Sequence, residues 1–535
     1  MKTGYIRKQR NEAFFCRNST GAALERRRDC PFWERASQIY AFIILTVFPL
    51  LLSPRTYYNT TETKFYLFIG MTGLYALACL VIGFLYIPGR QRGFYLREKS
   101  RVKITVPQVM LFAYVLWGVI SAIASPYSRL FIGQSRYEGV LSMLMYALAF
   151  MLLSFWGEYT DTYISGLGVM GTIMGFIAMV QSFGSTILYP GTYNYWNSEF
   201  LTTIGHQDCV AGMICILIPS LLCGYVILDG NQRRSFLPAL FFMTYTAVFS
   251  DVDTAKIGFL IVLLMLPTLV ESRWRLRRLL IGLVPVFLGF ALSFTWRRNR
   301  SFAPGAAALL FLLGAVALGI LAWYMERHER TWKLKPSTIR RVGYLIMLAL
   351  LIVGLIVVYG YSGSNQLIRE ASELLHGELS DHAGSLRGYI WKSTLKLIAQ
   401  NPILGGGPGC FISLFYPYDA GYQALMNSSE ILVDFPHNDF LSVAACTGLV
   451  GFGLYLGFLI SLAIRCMRRA VACPVLLILL AAMAGYLVYS FFVFSIAIVS
   501  PLFWVLAGVA DKCVRQSDQA RAPVAPAEGE TEKTA

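Results

Sequence analysis

Apolar stretches of about 17 to 25 residues, the length that crosses a hydrocarbon core, recur along almost the whole chain. Candidate spans lie at 37–53, 66–88, 104–124, 140–156, 162–184, 204–228, 236–250, 254–270, 279–295, 304–325, 342–362, 441–464, 472–494 and 496–510. The pattern predicts an all-α fold, a polytopic transmembrane helix bundle of about 12–14 spans. Only one connection that faces away from the basic loops is long: about 80 residues at 363–440. Within it, Ile368, Ala371, Leu374 and Leu375 recur at helical spacing opposite Glu370, Glu373 and Glu378, so Asn365–Leu379 reads as a surface helix. Arg387–Gln400 reads as a second helix, stopped by Asn401-Pro402, and Gly405–Gly409 as a loop that no side chain obstructs.

Composition agrees with this reading. The chain is 56% hydrophobic and only 14% charged, too few charges to cover a soluble surface of 535 residues. A soluble enzyme or a nucleic-acid-binding module is therefore excluded as the main body. The 46 Lys and Arg against 30 Asp and Glu give +16, which in a membrane protein marks the cytoplasmic loops. Residues 1–36, 89–103, 229–235, 271–278, 326–341, 465–469 and the tail all fall on one side and hold 34 of those 46 cations. That side is read as the cytoplasm. The exception is Arg297, Arg298 and Arg300, which would face outward.

The resulting organisation is a basic cytoplasmic segment at 1–36, a transmembrane bundle at 37–362, the large extracytoplasmic loop at 363–440, C-terminal spans at 441–510 and a disordered cytoplasmic tail at 511–535. The first apolar run follows a long charged head without a small-residue cleavage site, so it reads as a retained signal anchor. The eleven cysteines show neither CxxC nor Cys/His ligand spacing, which points to no metal site and no disulfide framework.

Chemistry concentrates in the outer segments. His437, in Phe435-Pro436-His437-Asn438-Asp439-Phe440, sits where a span begins; it either caps that helix or offers an imidazole to a hydroxyl or a phosphate. Arg387 opens the second loop helix, either as a phosphate-binding fork or as a surface cation pairing with Asp381 or Glu378. Arg129 and Arg136 occupy another outer loop, either binding or snorkelling. Lys256 lies just inside a span, costly unless it meets Asp251, Asp253 or a ligand. Two lookalikes are set aside. Gly405–Gly409 lacks the following Lys-Ser/Thr of a phosphate loop, and Asp251-Val252-Asp253 spells a DxD motif in a short outer turn where nucleotide sugars are absent.

The ordered set Ser385-Leu386-Arg387-Gly388-Tyr389-Ile390-Trp391, Asn401-Pro402-Ile403-Leu404-Gly405-Gly406-Gly407-Pro408-Gly409-Cys410-Phe411 and His437-Asn438-Asp439-Phe440-Leu441, followed by Gly448, resembles the O-antigen ligase/O-antigen polymerase superfamily. Gly133-Gln134-Ser135-Arg136-Tyr137-Glu138-Gly139 looks like the earlier arginine-glutamate-glycine loop of that family. His206-Gln207-Asp208 stands where many members carry an Asn pair. Such proteins move a glycan from a polyprenyl-diphosphate carrier to a lipid, protein or polysaccharide acceptor outside the cytoplasmic membrane, without cofactor, metal or nucleic acid. The resemblance implies that His437 and Arg387 are catalytic, with Arg136, Glu138, Lys256, Trp391, Asn438 and His206 at the substrates. Lys256 would replace a span arginine of the family. A transporter or flippase of polyprenyl-linked sugars is the rival class; it should show broken helices in matched halves.

Overall fold

The computed structural model describes residues 31–55, 57–86, 104–184, 187–188, 201–250, 252–295, 305–328, 335–363, 366–378, 380–426 and 432–520. These hold seventeen α-helices and no strand. Asp251, Arg297, Arg298, Arg300, the 89–103 loop and most of the basic head lie outside them.

Helices α1 (Pro31–Phe42), α2 (Thr60–Tyr86), α3 (Val106–Ala124), α4 (Val140–Trp156) and α5 (Asp161–Ser182) form the first part of the bundle. Then follow α6 (Gln207–Ile227), α7 (Phe236–Phe249), α8 (Asp253–Leu269), α9 (Arg273–Thr295), α10 (Ala306–Arg327) and α11 (Pro336–Tyr359). The large loop supplies α12 (Gln366–Leu375), α13 (Ala383–Gln400) and α14 (Phe411–Met426) before α15 (Asp439–Arg469), α16 (Val475–Phe492) and α17 (Ser500–Gln519) close the chain. Nine helices among the described residues are long and apolar enough to cross a membrane, and α4 is a shorter apolar one.

Four of the predicted spans take another form. Pro49 interrupts 37–53, so α1 gives way to a π turn and a 3-10 turn ending at Leu50. The spans expected at 236–250 and 254–270 are helices of 14 and 17 residues. The last helix begins at Ser500 and runs past the expected Asp511 boundary to Gln519, because Asp511 is fully buried against Ser154 and Arg465.

The layers follow from which helix faces are apolar. All of α6 is buried, packed by α16, α8, α7 and α9, so it is the central post. No residue of α11 is buried, which puts that helix, apolar beyond Arg341, at the periphery, as lipid contact requires.

The polar ends of the helices define two faces, which the charge pattern of the sequence predicts to be the inner and the outer one. At the inner end, Gln108 of the α3 capping box donates to Ser154, Ser154 to Asp511, and Arg465 and Arg469 pair with Asp511 and Asp518. The opposite, outer end gathers the 125–139 loop, the start of α6, the large loop and the 493–499 turn.

One helix is broken to hold that outer end together. Within α15, Gly448 has φ 69° and ψ 177°, which frees the carbonyls of Ala445 and Cys446 from the helix. The amides of Gly406 and Gly407 reach them at 3.0 and 2.7 Å, and Leu449 donates to Pro402 at 2.7 Å. A break in lipid-embedded backbone is tolerated only when its polar groups are satisfied again in this way. A Cβ on Gly448 would stand 2.0 Å from the Ile403 carbonyl oxygen. The glycine run expected as an open loop is thus a plug in the break in α15.

Candidate functional site

The outer end brings together residues from three separate stretches of chain around the ring of Phe494. The Arg136 guanidinium lies 4.3 Å over that ring, and the His437, Phe435 and His206 rings lie 5.6, 5.4 and 6.3 Å from it. Arg136 donates from Nε to Asp434 at 2.6 Å, and Ser135 donates to the same carboxylate oxygen at 3.1 Å. This ion pair replaces the snorkelling alternative for Arg136.

His437 stands at φ 50°, a conformation that only a constrained loop imposes on a non-glycine residue. Its Nδ1 is buried and carries no hydrogen bond. Burial lowers its pKa from 6.5 to about 4; the Arg387 and Arg136 charges act in the same direction, and the Asp208 and Asp434 carboxylates oppose them. The imidazole is therefore neutral at ordinary pH. The helix-capping alternative falls to its neighbour: Asn438 Oδ1 accepts from the Leu441 amide at 3.0 Å and is the N-cap of α15.

Arg387 follows a left-handed turn at Gly384, Ser385 and Leu386, with φ of 60°, 57° and 71°, so regular helix in α13 starts at Arg387 itself. Left-handed backbone at Ser385 and Leu386 costs about 1–3 kcal/mol each. Asp381, an alternative partner for Arg387, pairs instead with Lys392 at 2.8 Å. Among the described residues Arg387 has no ion pair, with Glu378 or any other carboxylate, and its charge acts on His437.

His206 is the N-cap of α6 and accepts from the Asp208 amide at Nδ1, 3.2 Å, which leaves the proton on Nε2. Burial lowers its pKa as well. Trp391 donates its indole N–H to the Pro436 carbonyl at 2.8 Å and so props the loop that carries His437. Glu138 accepts from Tyr146 at 2.7 Å and Ser495 at 3.3 Å; burial raises its pKa to about 8. Its carboxyl lines a cavity beneath Asp434 and Phe435 that also holds Asp439.

Lys256 is not brought into this group. It pairs with Asp253 at 3.0 Å, on a helix whose first turn meets α6 at Cys215. Cys215 is nine residues beyond His206, roughly 13 Å down a helix. Of the residues expected at the substrates, Asn438 caps α15, Trp391 braces the Pro436 carbonyl and Glu138 accepts from Tyr146 and Ser495, so each also belongs to the frame of the site. Asp434 and Phe494 were not singled out by the sequence. For Asp434 a signal existed, a lone carboxylate in Leu432-Val433-Asp434-Phe435; for Phe494 there was none among 36 phenylalanines. No group of three His, Cys, Asp or Glu able to hold a metal occurs among the described residues.

A neutral imidazole with an unbonded Nδ1, an arginine with no carboxylate partner among the described residues and a second arginine locked by Asp434 thus lie at one end of the bundle. Residues 301–456 match the family model described as O-antigen ligase. The matched stretch takes in Arg387, Trp391, His437 and Asn438, while Arg136, Glu138, His206 and Lys256 precede it. The match supports the O-antigen ligase superfamily, a multi-pass membrane protein and, for that family, a glycosyltransferase-like function. No curated protein matches the chain.

Proposed function

We propose that the protein is a glycosyltransferase that moves a glycan from a polyprenyl-diphosphate carrier to an acceptor hydroxyl at the outer face of the cytoplasmic membrane. The observation that carries this reading is His437, neutral and unbonded at Nδ1, within the field of an Arg387 that has no counterion among the described residues. A purely structural imidazole nitrogen buried in this way would have found a partner.

In this reading the diphosphate of the donor lies against Arg387, whose planar fork matches phosphate oxygens, with Arg136 as a second cation held in place by Asp434. The acceptor oxygen attacks the anomeric carbon, the bond from that carbon to the diphosphate oxygen breaks, and the electron pair leaves on the diphosphate. The acceptor proton passes to His437. Without donor, burial and the Arg387 charge disfavour an imidazolium. Once a diphosphate neutralises Arg387 and adds negative charge nearby, the same imidazole becomes more basic. Donor binding therefore arms the base, which limits proton transfer to the complex. The Arg387 and Arg136 charges stabilise the leaving diphosphate in a site that excludes much of the water.

The test is glycan transfer in proteoliposomes carrying donor on the face that holds His437, normalised to folded protein. His437→Ala is expected to keep donor binding and lower turnover by about 100-fold or more. Arg387→Lys keeps the charge without the fork and should rescue little relative to Arg387→Ala. Wild-type turnover by well-folded His437→Ala would sink the reading, and lipid translocation without transfer would point to a flippase.

A further inference from the structure

At the end of the bundle opposite His437, a recess of about 580 Å³ opens between the end of α6, the turn at Asn231–Ser235 and the first turns of α9. It is lined by Tyr225, Arg233, Trp274, Arg277, Arg278 and Ile281. The three arginines are not equivalent. Arg278 is fully engaged with the end of α6: it donates to the Val226 and Leu228 carbonyls at 3.2 and 3.0 Å, pairs with Asp229 at 2.7 Å and lies 4.0 Å over Trp274. Arg277 pairs with Glu326 through Nη2 at 2.5 Å, but its Nε is buried without an acceptor. Arg233 lies 5.6 Å over the Tyr225 ring, has no carboxylate partner among the described residues, and its Nη1 is buried without an acceptor.

Two shielded guanidinium N–H groups line one recess and both lack an acceptor among the described residues, which asks for an anion with several oxygens. The rest of the lining says what the anion is attached to. Trp274 is 40% exposed, Ile281 marks the apolar side, and neighbouring α10 turns Leu309, Leu313, Ile320 and Trp323 outward, as a helix facing lipid does. A basic recess with an aromatic rim at the end of such helices fits a phosphate whose acyl chains run down the bundle. We propose that this recess binds the phosphate of an anionic phospholipid, held by Arg233 and Arg277 and framed by Tyr225 and Trp274. The site lies at the far end of the bundle from His437 and is independent of the transfer reaction. It would seat the α6, α9 and α10 end of the bundle at a fixed depth in the membrane.

The test uses the full-length protein, delipidated in detergent and titrated with phosphatidylglycerol, with phosphatidylcholine and with inorganic phosphate, binding being read by native mass spectrometry. Phosphatidylglycerol should bind in preference to phosphatidylcholine. Arg233→Gln with Arg277→Gln should weaken that binding by about tenfold or more, whereas Arg340→Gln with Arg341→Gln, at exposed positions near the start of α11, should leave it unchanged. Arg233→Gln alone breaks no ion pair among the described residues and gives the same reading in smaller measure if the double variant does not fold. Equal binding by wild type and Arg233→Gln, or no preference for the anionic lipid, would overturn the proposal. Inorganic phosphate competing at comparable concentration would assign the recess to a soluble anion and overturn its lipid source.

Discussion

Two groups of charges at opposite ends of the bundle are held in opposite ways. At the inner end, Asp511 is fully buried yet accepts from Ser154 and faces Arg465; Asp518 takes Arg465 and Arg469, and Ser154 in turn is tied to Gln108. The helical turns that carry these groups are regular; the break in α15 at Gly448 lies far along the helix from Arg465 and Arg469. At the outer end, His437 has no hydrogen bond at Nδ1 and Arg387 no carboxylate partner among the described residues, and the backbone around them is strained. Every non-glycine residue with left-handed backbone among the described residues falls here: Arg129, Arg136, Tyr137, Thr202, Ser385, Leu386 and His437. Strain of this kind persists only where the surroundings over-determine it. The Gly405–Gly409 plug in α15, the Trp391 bond to Pro436 and the Arg136–Asp434 pair are those surroundings. The contrast teaches that a charge satisfied within the protein joins helices, whereas one held unsatisfied by a rigid frame is kept for something outside it.

The sharpest way to break the contrast is to remove a partner at each end. Asp511→Ala leaves Arg465 without its buried carboxylate and should destabilise the fold by about 3–5 kcal/mol, visible as a drop in thermal unfolding temperature and in yield. The same truncation at His437 should lower turnover while leaving the unfolding temperature nearly in place. Equal thermal losses for both variants would show that the two ends do not differ in kind.

A smaller effect is expected from Asp434→Asn. It removes the charge-assisted bond that holds Arg136 over Phe494, worth about 1.5–3 kcal/mol. Donor use should fall by about tenfold or more, while chemistry once the donor is bound changes less. A variant with unaltered KM for the donor would remove Asp434 from the site.

Titration gives the mildest test. His437 is lowered from 6.5 to about 4 in the native state, so between those values the unfolded chain holds a proton that the native chain lacks. Its contribution to stability therefore falls as pH drops through that window. Glu138 is raised from 4.5 to about 8, so the native chain holds the extra proton and stability falls as pH rises through 4.5 to 8. Glu138→Gln should flatten that alkaline loss of thermal stability, and His437→Ala the acidic one. For catalysis the same shift means that His437 imposes no loss of kcat/KM between pH 8 and 5. An acid limb centred near 6.5 that disappears in His437→Ala would contradict the burial of the imidazole.

The sequence by itself determined the all-α membrane class, the large outer segment with its helices, and the two residues on which the proposed chemistry turns. Those features are local: a run of apolar residues has one use in lipid, and Arg387 and His437 stand in short ordered motifs. Even the start of regular helix at Arg387 was legible, because Gly384 and the polar residues before it interrupt the pattern. What only the tertiary structure decided is which groups meet. Asn438 and Trp391 sit in the same motifs as His437 and Arg387, but one caps α15 and the other braces Pro436. Lys256 pairs with Asp253 at the depth of Cys215, away from the site. Asp434 and Phe494 join it through contacts with Arg136, 298 and 358 positions earlier in the chain. Hydropathy and spacing record the solvent each residue prefers. Whether a charge is left without a partner depends on every neighbour that folding brings to it, and those neighbours are written far apart in the chain.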